Sequence, residues 1–310
     1  MLSTPYEIQF GVKLIIMDKL LGSKKTIAIF VLPGVIFFTL MIFIPIIASV
    51  AFSFFEWDGI GKMQFIGFQN FRSLLQDNID NYWISVKNTV IMALLTAGVQ
   101  LPLAFILAVV LSEGIKGEGF FRTVYFTPVV VSSSVIGLLF LKIYNPDYGI
   151  LNVILKHLGL ESLTTAWLGN PKTALAALFF PIVWQYIGYH MLLLYAGIKS
   201  ISPEIFESAK IDGAKLSTIV RKITLPMIAP MIEVCLTLGI IGSIKIFDLS
   251  IILTNNGEPL GATLVQAGLM YKQIFQYGMY GLGSATSILI IIQCLLVTVI
   301  LQRIFKNTRI

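Results

Sequence analysis

Three groups of polar residues interrupt an otherwise apolar chain, and their types suit binding and docking better than bond-making. Trp184, Gln185, Tyr186, Tyr189 and His190 fall within about two helical turns of one another. Aromatic faces beside a few placed polar groups are what a carbohydrate-type site combines. An aromatic belt at a membrane interface has the same composition, and both readings stand. Gln185 and Tyr189 are i,i+4 neighbours on one face, but Gly188 leaves the aromatic stripe incomplete. Lys245 and Asp248 lie three apart inside a further apolar run. Ionisable groups at membrane depth are costly to insert, so they are candidates for a solute path by default. Pairing with each other would lower that cost, so a structural ion pair is an equal reading. Asn88 is a further polar candidate for the path. The third group is the segment Glu207–Pro226, ESAKIDGAKLSTIVRKITLP, polar and basic between two apolar runs.

Neither a catalytic nor a metal centre is indicated. The two histidines, His157 and His190, are far apart, and Cys235 and Cys294 sit in apolar stretches with no metal-ligand neighbour. A small buried thiol is the default for such cysteines. No phosphate-binding loop of the form G-x4-G-K-[ST] occurs, and Gly22-Ser23-Lys24-Lys25-Thr26 is only a superficial echo of one. No basic cluster is interleaved with aromatics, which argues against a nucleic-acid surface.

The elements that must carry these groups are membrane helices. Hydrophobic residues make up 56% of the 310 and charged residues 12%, so the chain is far more apolar than a soluble domain. Mean hydropathy is +0.87. Uncharged runs lie between Lys25 and Glu56, Lys87 and Glu113, Arg122 and Lys142, Lys172 and Lys199, and Lys272 and Arg303. Each approaches or exceeds the ~20 residues that cross a ~30 Å hydrocarbon core as a helix. A sixth run, 226–253, spans while carrying Glu233, Lys245 and Asp248. Strand alternation is absent, so helices must satisfy the backbone within lipid. The expectation is an all-α integral membrane protein with six helices at about 26–54, 86–112, 122–144, 173–197, 226–253 and 277–304. Residues 8–21 are either an amphipathic surface helix or a loosely ordered tail. The first apolar run is too long for the core of a cleaved signal peptide. In the loop 145–172, Asn145-Pro146 and Tyr148-Gly149 signal a tight turn before an amphipathic helix.

Charge orients the bundle. With the N-terminus inside, fourteen lysines and arginines lie on cytoplasmic segments against seven outside. That bias places both termini, and the 199–226 loop, in the cytoplasm. Net charge +6 is thus a topology signal. Within the loop, a short helix from about Pro203 to Lys210 is expected to stop at Asp212-Gly213, since Gly takes the left-handed conformation of a helix end. Asp212 is a candidate cap for a second helix running to Leu225. Pro226 then suits the opening of the membrane helix.

The same segment resembles the cytoplasmic EAA loop of bacterial ABC import permeases, E-A-A-x3-G-x9-I-x-L-P, with Ser208 in place of the first alanine. FIGFQNFRSLLQD followed by Lys87-Asn88-Thr89, FFRTVYFTP, YNPDYGILN and FDLSIILTNNGEP resemble other stretches of the sugar-import branch of that family. That branch includes the larger maltose-transporter permease and the multiple-sugar and glycerol-phosphate permeases. Asn256-Gly257-Glu258-Pro259 departs from the family's G-G-P, which weakens any inference about the particular sugar. The resemblance implies a type I importer transmembrane domain over 26–310, after a cytoplasmic segment 1–25, in a bacterial cell membrane. It implies Glu207, Ser208, Ala209, Lys210, Asp212, Gly213, Leu225 and Pro226 as the coupling surface for a dimeric cytoplasmic ATPase, which would hold ATP and Mg. This chain would bind no cofactor itself. A second homologous permease, an extracytoplasmic solute-binding protein and membrane lipid are the implied partners. A sugar or oligosaccharide is the implied cargo, with glycerol phosphate or another small solute as the alternative. A secondary transporter is a rival class, but it would show matching halves with helices broken by Gly or Pro, and no such pattern is visible.

Overall fold

The computed structural model describes residues 24–306. The expectations for the 1–25 segment and the 8–21 stretch fall almost wholly outside the described residues. The chain divides after Phe52 into two units. The first holds α1 (Lys24–Phe52), 29 residues of strongly apolar helix. It includes Pro33 and a π-turn at Thr39–Phe43.

The second unit begins with a short hairpin pairing Phe55 with Phe65 and Glu56 with Gln64. Helix α2 (Gln69–Leu75) follows. Asn70 is buried there because its amide donates to the carbonyls of Ser53 and Phe55, at 2.9 and 3.0 Å. Two long spans are continuous or nearly so: α3 (Ile79–Ser112) and α7 (Ala174–Lys199). The last, α13 (Tyr280–Phe305), is equally unbroken. Cores form where α3 and α7 meet, around Ala104, Ala108, Met191 and Leu194. A second core gathers Ile136, Phe140, Leu178, Ile182 and Leu249.

The remaining two spans are not the single rods expected over 122–144 and 226–253. Helix α4 (Glu118–Val130) meets α5 (Ser133–Ile143) at 97°. The break is built by Val131 and Ser132 in extended conformation, and the Ser132 hydroxyl caps α5 by accepting from the Val135 N–H. The fifth region is broken twice. Helix α9 (Leu216–Met227) bends by 73° into α10 (Ala229–Lys245). Ile246 is then extended and Phe247 non-helical before α11 (Asp248–Thr254). Pro226 therefore lies near the end of α9, and it is Pro230, in the first turn of α10, that suits a helix start. Counting each bent pair as one span gives up to six crossings.

Outside the spans, α6 (Ile150–His157) is the expected amphipathic helix, and α8 (Pro203–Ile211) is the short helix expected in the 199–226 loop. Helix α12 (Gln266–Tyr271) leads through a π-turn at Lys272–Gln276 to α13.

Candidate functional site

A cavity of about 440 Å³ lies where the broken spans meet the straight ones. Met92, Thr96 and Gln100 of α3 line it, opposite Gly239, Gly242 and Ser243 of α10. The Thr96–Gln100 segment of α3 is a π-turn, a local widening that recurs at functional sites. It presents Thr96 to Ser243, and the two hydroxyls hydrogen-bond at 2.8 Å. Gly239 lets the wall close up here, since a Cβ at 239 would stand 2.9 Å from the Thr96 methyl. Ile182, Tyr186, Tyr189 and His190 of α7 form a third wall. Val129 of α4 and the break Lys245–Asp248 complete it.

Both unwound points therefore border one space. Tyr186 lies beside Ser133 at the start of α5 and within the field of the Asp248 carboxylate at the start of α11. Helices α5 and α11 pack on one another, with Ile252 against Gly137. Irregular backbone at membrane depth is tolerated where it is buried in protein or lines a cavity, and this arrangement satisfies that rule. His190 is 4% exposed, and its Nδ1 has no hydrogen-bond partner in the protein. The protein's own side chains thus leave one ring nitrogen of a cavity-lining histidine unpaired.

The eight polar residues marked in the sequence for a solute path separate cleanly. Tyr186, Tyr189, His190, Lys245 and Asp248 line the cavity. Trp184 does not; it packs edge-on against Phe140, ring centroids 5.9 Å apart. Gln185 is buried and donates to the Val131 carbonyl at 3.2 Å, serving the backbone left open by the α4–α5 break. Asn88 is also structural. Its amide donates to the carbonyls of Gly261, Ala262 and Leu264 at 3.0, 3.2 and 3.0 Å, tying α3 to the loop after α11. Of the two readings of Lys245 and Asp248, the ion pair is not formed, and the break puts the two residues on different helices. Ion pairs elsewhere join Arg122 to Glu118 and Lys210 to Glu113. Thr96, Gln100 and Ser243 also line the cavity but lie outside the polar groups marked in the sequence. The usable signal was Thr96 and Gln100 at i,i+4 within an apolar helix, a polar pair facing one way.

The polar 199–226 loop folds as a compact foot. Helix α8 starts at Pro203, where a missing N–H costs nothing. It ends with Asp212 and then Gly213 at φ +75°, the left-handed stop expected. A Cβ at 213 would meet nothing within 4 Å, so the backbone conformation, not space, requires glycine here. Asp212 does not cap the second helix. It lies at the end of α8, while Lys215 occupies the N-cap of α9 without a side-chain bond. Ala209 faces inward and is 9% exposed. Glu207 and Lys210 border a cleft of about 240 Å³ shared with Ser112 and Glu113 at the end of α3 and Lys199 at the end of α7. Lys210 reaches Glu113 at 3.9 Å, and the Lys199 ammonium donates to the Ser112 carbonyl at 2.9 Å. Leu225 and Pro226 continue this foot into the bend before α10.

A polytopic helical protein with a cavity between broken spans and a polar two-helix foot is a membrane transport component. Residues 100–309 match the family described as the binding-protein-dependent transport system inner membrane component. The chain belongs to that family. It is 35% identical over 282 residues to a probable ABC transporter permease, YurN, of Bacillus subtilis, covering 90% of this chain and 95% of that one. It is 32% identical over 250 residues to the trehalose/maltose transport system permease MalF of Thermococcus litoralis, covering 81% and 83%. A crystal structure of a bacterial ABC transporter involved in import of the acidic polysaccharide alginate superposes with a TM-score of 0.81. That match spans 96% of this chain and 99% of the other at 24% identity, and so it speaks for the fold. The chain is thus a multi-pass membrane permease of the ABC type.

Proposed function

We propose that this chain is one of two permease subunits of an ATP-driven importer and carries a neutral sugar or oligosaccharide through the cavity between its broken spans. The observation that supports the cargo is the wall chemistry. Tyr186, Tyr189 and His190 supply rings and polar tips, while Thr96, Gln100 and Ser243 supply neutral polar groups. One cation, Lys245, is offset by one anion, Asp248, so the walls offer no net positive field to a phosphate ester. A glycerol-phosphate cargo would want more positive charge than this. Relatives described as sugar permeases support the same reading.

ATP, with Mg, would bind a separate dimeric ATPase on the cytoplasmic side, with both termini of this chain facing it. The foot formed by α8 and the start of α9 docks that ATPase through Glu207, Ser208, Ala209, Lys210, Asp212 and Gly213. Leu225 and Pro226 transmit its motion to α10. A second, homologous permease closes the open side of the path, and a solute-binding protein delivers cargo from outside, as the family description supports. The test is uptake by the reconstituted assembly with its binding protein. Neutral oligosaccharides should be transported, and Asp248→Asn with Lys245→Met should lower transport while leaving the assembled complex intact. Uptake of glycerol phosphate in preference to sugars would overturn the cargo assignment. Full binding-protein-stimulated ATP hydrolysis in Glu207→Lys would overturn the docking assignment.

A further inference from the structure

Helix α6 has an apolar face that the spans do not cover. Ile150, Val153, Ile154 and Leu158 recur at i, i+3, i+4 and i+8, one stripe of a helix, and they are 57%, 38%, 48% and 67% exposed. The stripe is not the face that holds the helix in place. Leu151 packs against the protein core, and buried Asn152 is clamped on both its amide and carbonyl sides. Its Nδ2 donates to the carbonyls of Pro146 and Thr165, and its Oδ1 accepts from the Trp167 indole at 2.8 Å. The helix thus divides into three sectors. One, with Leu151, Asn152 and Leu155, faces the protein; one carries the exposed apolar stripe, with His157 at its end; the last carries Lys156.

The position of α6 says what the stripe meets. Only residues 144–149 separate it from the end of α5, so it lies close to where that half-helix ends. The Asn152 clamp holds it to the approach of α7. Helix α5, the half-helix that leads to it, also exposes apolar side chains at Val135, Leu138 and Leu139. Lys156 lies within α6 itself, and just before it in the chain Lys142, at the end of α5, lies over the ring of Tyr148, 5.8 Å from its centroid. Lysines and amphipathic aromatics beside an apolar stripe are the composition of a helix lying in the headgroup region of a bilayer.

We propose that α6 is an interfacial helix, its Ile150–Val153–Ile154–Leu158 stripe buried in the outer lipid boundary and its Lys156 sector in water. It would brace the outer ends of α5 and α7 against the bilayer. This inference rests on the membrane spans and is independent of the cargo.

The test is collision accessibility of nitroxide labels in the full assembly in nanodiscs, with other cysteines replaced. Ile154→Cys and Ile150→Cys report the stripe, and Lys156→Cys reports the polar sector on the far side of the helix from 154. The oxygen-to-nickel-chelate accessibility ratio should be several-fold higher at 154 and 150 than at 156. Free access of the nickel chelate to 154 and 150 would overturn the proposal. Exclusion of both reagents from 154 would show that a protein surface, not lipid, covers the stripe, and would overturn it equally. A label at 156 as oxygen-rich as that at 154 would refute the three-sector geometry.

Discussion

Replacing Asn88 separates a structural role from a solute-contacting one. A carboxamide nitrogen carries two hydrogens, and here they serve three carbonyl acceptors, those of Gly261, Ala262 and Leu264. The side chain is 6% exposed, so these groups are shielded from bulk water. Each hydrogen bond contributes roughly 0.5–1.5 kcal/mol net, so losing two should cost about 1–3 kcal/mol. Asn88→Leu, which keeps the branching but not the donors, should reach the top of that range or exceed it, since it leaves buried carbonyls unpaired. Asn88→Asp is nearly isosteric, yet it would aim carboxylate lone pairs at three carbonyl oxygens. It should therefore cost more, or be protonated so that one oxygen can donate. Thermal unfolding of the purified assembly would rank wild type above Leu and Leu above Asp. Limited proteolysis should show earlier cutting within 255–263, the loop that Asn88 holds. Wild-type unfolding and proteolysis in Asn88→Asp, with only the half-saturation for cargo altered, would refute the reasoning and return Asn88 to the solute path.

Other outcomes follow from the same geometry. Gly188 of α7 is where the backbone of α4 crosses, and a Cβ there would overlap the Tyr125 carbonyl; Gly188→Ala should destabilise by roughly 1–3 kcal/mol through overpacking. Gly242→Ala, with nothing within 4 Å of its Cβ, should leave unfolding unchanged or raise it slightly, by up to about 1 kcal/mol. Gly213→Asp forces a side chain into the left-handed region at a cost of roughly 1–2 kcal/mol; coupled ATP hydrolysis should fall while the span bundle still assembles by size-exclusion chromatography. In the hairpin, N–H groups of Gly61 and Ile60 hold the Asp58 carboxyl below its ordinary value. The folded pKa is depressed, so this loop's stabilisation is present above the unfolded value and is lost as pH falls through the folded one. Trp57 donates to the Gly61 carbonyl, so an acid titration of its fluorescence should show a transition below the ordinary Asp range, and Asp58→Ala should abolish it.

Much of the architecture was legible in the chain. Uncharged runs of span length located the crossings, because a lipid core leaves helices as the solution for such stretches. The foot was legible for a local reason: Pro203 at a helix start and Gly213 at a left-handed stop act within a few residues of themselves. Two of the three breaks were not legible. Val131-Ser132 and Ile246-Phe247 carry no glycine or proline, and each stretch around them is apolar enough for an unbroken helix. What sustains the first break is Gln185, 54 positions away, which supplies a donor to the freed Val131 carbonyl.

The same distinction decided the candidate residues. Residue type alone marked Tyr189, His190, Lys245 and Asp248 as worth attention, because polar groups in apolar runs need partners or a purpose. Whether each faces a cavity, a neighbouring ring or an exposed carbonyl depends on helix rotation and on where spans unwind. Trp184 and Gln185 sit beside the cavity residues in sequence but turn toward Phe140 and Val131. Local pattern thus settled the class, the crossings and the foot, since hydrophobic periodicity and end signals act over a few turns. Packing between distant helices settled which side chains share the cavity, since each buried polar group takes the nearest partner that the fold provides.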